Sequence, residues 1–333
     1  MRMTLRGKSF TALRDFLILM VTRPKLFRKS ITPGYMRAVD FYGLWPMFRV
    51  FHSAYKSYYA HYGRYPDLVH PKLYSEKITW QKFFTLLPVP QSGNKLLTHK
   101  FIPEGLEGVK TVPIVFQSRQ PELPPNDAIA PGWYYLKANY GCNLFRPVEY
   151  PLSTEKRAEL EALTAGWLEG EYGRGTGEWW YSTFPQEILL EQSLAEGGSA
   201  TTWCFHTLGG QVATIGLARK IDGQEQVVRL APDMSPLNFD RAGQVRLESY
   251  DDYGLGGELT RIATALAQAF DLVRIDLYVT PSREIFLGEV TLSPFNGLLG
   301  FPQEWDVSFG KLARVIGCKP ANRSILPISQ RQS

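Results

Sequence analysis

The 333-residue sequence predicts an α+β fold, on three observations. Segments with helical apolar spacing cluster in the N-terminal part and recur at 153–170 and 257–270. Short apolar runs bounded by turn residues occupy 133–138, 187–191, 201–207 and 211–218, as antiparallel strands do. Two further runs, Leu272–Val279 and Glu284–Leu292, flank Thr280-Pro281-Ser282-Arg283, a turn-type sequence that makes them a hairpin. No internal repeat or low-complexity tract interrupts this mixed pattern.

Taken in order, the elements justify themselves locally. Residues 35–62 carry Tyr35, Phe41, Trp45, Phe48, Phe51, Tyr55 and Tyr58 and read as helices. In 70–84, Ser75 is the expected N-cap of a helix bearing Ile78, Trp80, Phe83 and Phe84. Residues 117–132 are proline-rich and polar, hence a loop. The strand at 133–138 leads into the loop Asn139-Tyr140-Gly141-Cys142-Asn143, and 153–170 reads as a helix. A glycine-rich stretch from Tyr172 runs into the aromatics ending at Tyr181, which suit either sugar stacking or ordinary core packing. The strand at 211–218 ends in Arg219-Lys220-Ile221-Asp222-Gly223, a turn signal. Helix 257–270 places Leu259, Ile262, Ala263, Leu266 and Phe270 on one face. The expected division is a basic helical extension at 1–65, one lobe at 66–185 and a second at 186–333.

The composition, 44% hydrophobic and 21% charged, supports a sizeable core. Cys142, Cys204 and Cys318 have no metal spacing and suit a reducing cytosol, and the histidines show no zinc pattern. The net charge of +5 is carried by the first 30 residues, where Arg2, Arg6, Lys8, Arg14, Arg23, Lys25, Arg28 and Lys29 face Asp15 alone. The rest is slightly acidic, which argues against a nucleic-acid binder. Within that arm Phe16–Val21 is too short to cross a bilayer and lacks a signal-peptide cleavage site. Two readings fit it: a helix packed on the protein's own body, or a basic amphipathic segment resting on an anionic membrane face.

The chemistry concentrates in the C-terminal hairpin. With a bulge-free turn centred between Ser282 and Arg283, Asp276 faces Glu289 and Arg274 faces Thr291. Opposed carboxylates ~4.5–5.5 Å apart at Cβ repel each other. A divalent cation such as Mg²⁺ reverses that sign; the alternatives are that a bulge turns one carboxylate to solvent, or that Arg274 neutralises both. Lys137, at a strand end beside Gly141, can hold phosphate oxygens as a point charge, or simply be solvated. No P-loop motif is present. Arg219, Arg229 and Arg274 suit a multiply charged ligand, or a surface ion-pair network.

Several segments carry a family resemblance. His70–Trp80 (HPKLYSEKITW) resembles the "NPKTFNEKIQW" segment of the TupA-like ATP-grasp family, and Leu136–Gly141 (LKANYG) resembles its "LKCNHG" loop. Pro185–Leu194 (PQEILLEQSL) resembles "PRIIAEEYL", and Val273–Tyr278 with Phe286–Pro294 resembles "VRVDLY…YFGEMTFTP". Glu304-Trp305-Asp306 resembles the closing "EWD". The resemblance implies an ATP-grasp fold, with ATP held between two α+β lobes, and a role in cell-surface polysaccharide biosynthesis. It implies that Lys100 and Lys137, with the Gly141 loop, contact ATP phosphates, and that Glu191 and the backbone to Leu194 hold adenine and ribose. It implies Mg²⁺ on Asp276 and Glu289. Thr291 stands where many ATP-grasp enzymes have a metal-binding Asn, and Asn296 is the nearby amide. Tyr140-Gly141-Cys142-Asn143 departs from the family's His-Gly-Ser-Gly loop.

The implied activity is an ATP-dependent carboxylate–amine ligase working through an acyl phosphate. Its acceptor would be a uronic-acid or amino-sugar glycan, or a lipid-linked precursor, at the inner face of the cytoplasmic membrane. A glycan kinase and a non-catalytic nucleotide-binding component of a glycan assembly complex are the alternatives.

Overall fold

The computed structural model of the protein describes residues 4–194, 201–221, 224–239 and 244–312. Cys318 and the turn residues Asp222 and Gly223 lie outside them. The chain opens with helix α1 (Thr4–Thr22), then a two-residue strand β1 (Tyr35–Met36) and helices α2 (Ala38–Tyr42) and α3 (Leu44–Tyr62). Phe16 of α1 packs its ring 5.1–5.2 Å from those of Phe27, Phe48 and Phe51. Asp15, buried beside it, accepts a hydrogen bond from Tyr55 at 2.9 Å. Helix α3 stops at Gly63, whose φ of 69° is the left-handed cap that glycine adopts without cost.

Helix α4 (Tyr74–Phe84) is buried along its whole length. Its N-cap is Leu73, not Ser75. Glu76 reaches back to accept the Leu73 and Lys72 N–H groups at 3.1 and 3.0 Å, filling the capping role. That leaves Ser75 to donate its N–H and hydroxyl to Asp306, at 2.8 and 2.6 Å.

Strands β2 (Leu87–Pro88), β3 (Lys110–Thr111), β4 (Ile114–Ser118), β5 (Gly132–Ala138) and β6 (Phe145–Tyr150) follow, then helix α5 (Thr154–Glu169) and strand β7 (Ile188–Gln192). Next come β8 (Thr201–Leu208), β9 (Gln211–Ile221), β10 (Gln224–Leu230), β11 (Val245–Arg246), helix α6 (Gly256–Ala267), β12 (Leu272–Val279), β13 (Ile285–Thr291) and helix α7 (Gln303–Gly310). β1 and β2 pair with each other, and the other strands form two larger sheets. One is four-stranded, ordered β4-β7-β5-β6; the other is seven-stranded, ordered β11-β10-β9-β8-β12-β13-β3. Both are antiparallel except where β11 and β3 add parallel edges.

β7 belongs with β4–β6 although it follows the division expected at residue 185, because Leu190 pairs with Leu136 and Phe116. β9 runs on through Arg219 to Ile221, past the expected turn, because β10 continues its ladder from Gln224. One apolar face of the larger sheet, including Trp203, Phe205, Ile215, Leu217, Ile275 and Leu277, shares a core with Leu259, Ile262, Ala263 and Leu266 of α6. The opposite face carries the polar residues Arg274 and Asp276, and beside them Leu208 and Leu272 pack into a second apolar cluster with Tyr74, Ile78 and Phe301.

Candidate active site

The hairpin brings Asp276 and Glu289 face to face by a different route from the bulge-free one. Near the turn the pairs are Val279 with Ile285, Tyr278 with Phe286 and Leu277 with Leu287. The tip is one residue tighter than expected: Arg283 sits at φ 66° and donates its N–H to Thr280 at 2.9 Å. A bulge at Gly288 restores the register, so Asp276 pairs with Glu289, Ile275 with Val290 and Arg274 with Thr291. Without that bulge Glu289 would turn to the apolar face. A β-carbon at Gly288 would lie 2.5 Å from the Tyr278 ring, which covers it.

Arg274, Asp276 and Tyr278 share the polar face by strand alternation. Arg274 grips Asp276 with two hydrogen bonds of 2.7 Å and comes to 4.0 Å from Glu289. Burial raises the Asp276 pKa, Arg274 pulls it back, and Glu289 adds to the rise, leaving it elevated overall. Arg274 is held well above its ordinary value by the two acids, despite its burial. The Thr291 hydroxyl is buried with no hydrogen-bond partner among the described residues. Glu289 and the unpartnered Thr291 hydroxyl are hard oxygen donors of the kind Mg²⁺ takes, whereas both Asp276 oxygens are held by Arg274, the neutralising arrangement that is the alternative to a metal. Among the described residues no group of three histidines, cysteines or carboxylates forms a cation cage. The ladder continues from Asp276 through Cys204 and Gly216 to Arg229. A β-carbon at Gly216 would meet the Arg229 guanidinium at 2.5 Å, so the glycine makes room for that side chain on the acid face. Arg219 is exposed, and alternation assigns it to the opposite face, so the structure separates it from the acids.

Across from the acids stands the four-stranded sheet. Lys137 on β5 forms an ion pair with Glu191 on β7, both largely buried. Asn139 anchors the loop after β5: its amide donates to Pro185 and accepts from Glu187, each at 3.0 Å. Gly141 at the tip has φ 66°. Its carbonyl accepts a 2.6 Å hydrogen bond from Lys95, whose ammonium also lies 3.9 Å from Glu289. Lys95 thus links the two sheets. Burial lowers its pKa, Glu289 raises it, and Lys137 lowers it again. Lys95 opens the 3₁₀ turn Lys95–Phe101, capped by Asn94. Lys100, half-buried near the end of that turn, acts electrostatically on His99. Lys95 was not singled out in the sequence, where only the Asn94 cap hints at its position. Leu194 is half-buried just beyond β7.

A second buried group borders the pair. Lys82 of α4 donates to the Asn296 side-chain oxygen at 2.6 Å and to the Thr176 carbonyl at 3.0 Å. Asn296 is therefore committed to Lys82 rather than to the acids. Burial pulls the Lys82 pKa down to about 8, while Glu178 nearby raises it. Burial pushes the Glu178 carboxyl up to about 6; Lys82 opposes this and Glu289 adds a small rise. Neither residue carries a motif that marks it in the sequence. Trp179, Trp180 and Tyr181 are buried in the core, as the packing reading holds. An open pocket of about 370 Å³, lined among others by Arg119, Arg174, Tyr181, Phe184 and Gln186, shares the Tyr181 wall.

No family model matches the chain. No curated protein matches it. Among solved structures it is similar to the D-Ala:D-Ser ligase VanG from Enterococcus faecalis, with 13% identity over 66% of this chain and 59% of that one and a TM-score of 0.40. It is similar to the ATP-grasp ligase PsnB bound to a precursor variant, Mg and ADP, with 13% identity over 66% and 57% and a TM-score of 0.37. A D-alanine–D-alanine ligase from Helicobacter pylori gives 12% identity over 75% and 68%, with a TM-score of 0.39. The chain spans less than two thirds of the length of VanG and PsnB.

Proposed function

We propose that the chain is an ATP-dependent carboxylate–amine ligase of the ATP-grasp type, acting on an acidic or amino-bearing glycan. One observation carries this reading: Lys95 lies 3.9 Å from Glu289, which opposes Asp276, and hydrogen-bonds to Gly141 in the loop that follows the strand of Lys137, itself paired with Glu191. A triphosphate needs cations along its oxygens and a metal on its tail. Lys95 and Lys137 supply the cations, and the Gly141 loop supplies backbone beside them. Mg²⁺ would be held by Asp276 and Glu289 with Thr291 alongside, and would neutralise charge on the phosphates. Glu191, released from Lys137 when phosphate binds there, would accept hydrogen bonds from the nucleoside.

The acceptor carboxylate attacks the γ-phosphorus, ADP leaves, and an amine then displaces phosphate from the acyl carbon. Arg274, once Mg²⁺ takes Asp276 from it, and Arg229 on the same face would stabilise the charge that builds on the transferring group. The pocket beside Tyr181 offers Arg119 and Arg174 to a carboxylate.

The test incubates the protein with ATP, Mg²⁺, a panel of uronic-acid oligosaccharides and hydroxylamine. A ligase releases ADP and phosphate together and traps the acyl phosphate as a hydroxamate. ADP release with a phosphorylated glycan and no hydroxamate identifies a kinase instead. Calorimetry that detects no MgATP binding removes the nucleotide reading altogether.

A further inference from the structure

We infer that α1 and its surroundings form a docking surface for an anionic lipid bilayer, independent of the nucleotide cleft. The two readings of the basic arm are not alternatives, because α1 has two apolar faces. The inner one, Ala12, Phe16 and Leu19 with Asp15, is buried against the body. The outer one leaves Phe10 67% exposed, Leu17 50% and Val21 81%, with Leu13 and Ile18 between them. These residues follow one another at helical spacing, so they make a continuous stripe roughly 16 Å long. Phe16 packs on Phe48 in the first turns of α3, so the start of α3 lies beside α1. There Trp45 is 73% exposed, and Ile31, in the connection between the helices, is 97% exposed.

Charge selects the occupant. Lys25, Arg28, Lys29 and Arg49 are exposed around this surface, and Arg14 stands beside the stripe. Asp15 and Asp40 are the only carboxylates from residue 4 to residue 65. Asp15 is committed to Arg14 and Tyr55, and Asp40 accepts the N–H groups of Ser30 and Arg37 at 2.7 and 2.8 Å. An apolar stripe, an exposed tryptophan and the basic side chains Lys25, Arg28, Lys29 and Arg49, with only Arg14 offset by Asp15 and Asp67, are the pattern of a helix lying in the headgroup region. Among the described residues no helix is long and apolar enough to cross a membrane, so the contact is peripheral.

Sedimentation with vesicles of phosphatidylcholine alone, or mixed with phosphatidylglycerol, tests this. The protein should pellet with the anionic vesicles only, and less at high salt. Lys25→Glu/Arg28→Glu/Lys29→Glu should weaken partitioning on the order of a hundredfold. Leu17→Glu/Val21→Glu should abolish it, while circular dichroism and calorimetric MgATP affinity stay unchanged. Equal pelleting of wild type and Leu17→Glu/Val21→Glu overturns the inference. So does a vesicle-indifferent protein that elutes as a dimer and is made monomeric by Leu17→Glu/Val21→Glu, since a second copy would then cover the stripe.

Discussion

The Tyr278 ring lies over Gly288 so closely that a β-carbon there would sit 2.5 Å from it. This contact guards the bulge that turns Glu289 toward Asp276. Gly288→Ala should therefore cost about 1–3 kcal/mol in urea unfolding, the range of overpacked sites, and should also remove nucleotide turnover. In a Tyr278→Ala background the same Gly288→Ala change should cost less, because the methyl then has room. Gly288→Ala with wild-type stability would show that the bulge is not held by this contact.

The two acids should respond differently to removal. Asp276→Ala leaves Arg274 buried without its bidentate partner. Breaking a buried pair this way costs about 3–5 kcal/mol, visible as a lower urea midpoint. Glu289→Gln removes a charge that is a quarter exposed and should leave the midpoint nearly unchanged. Both should abolish Mg²⁺-dependent ATP turnover. Full turnover in either variant would remove that acid from the proposed metal site.

Lys95→Met and Lys137→Met should each weaken MgATP binding on the order of tenfold to a hundredfold, the scale of one charge-assisted contact. Calorimetry reads this directly. An unchanged dissociation constant would show that the ammonium serves only its protein partners, Gly141 for Lys95 or Glu191 for Lys137.

Lys82 and Glu178 make stability depend on pH in opposite windows. The folded Lys82 pKa, pulled down to about 8, lies below its unfolded value of 10.5. The unfolded chain thus holds more protons between those values, and stability gains as pH rises through them. The folded Glu178 pKa of about 6 lies above its unfolded 4.5, so its contribution is fully present below 4.5 and is lost as pH rises to 6. Lys82→Met should flatten the alkaline limb of a stability profile measured by urea titration, and Glu178→Gln the acidic limb. Profiles identical to wild type would mean that neither group titrates as the fold requires.

Arg174 lines the pocket beside Tyr181 and is paired with Glu171 at 3.2 Å. Arg174→Ala should raise KM for an acidic acceptor about tenfold, the loss of one charged hydrogen bond, and leave KM for ATP unchanged. A change in the ATP term instead would move the acceptor elsewhere.

Local pattern alone determined much of this protein. Alternation and turn chemistry located the 272–292 hairpin, and helical spacing located α5 and α6, because these signals act over a few residues. β6, with Pro147 inside it, and β10 gave no comparable signal and exist because β5 and β9 offer them an edge. The pairing of Asp276 with Glu289 was readable in register, yet it is delivered by a bulge that depends on one ring crossing one glycine. The grip of Arg274 on Asp276, the reach of Lys95 to both Gly141 and Glu289, and the Lys82–Asn296 contact were left to tertiary structure. Each joins groups whose geometry is set by side-chain packing and by how two sheets face each other. Linear spacing carries no record of that distance.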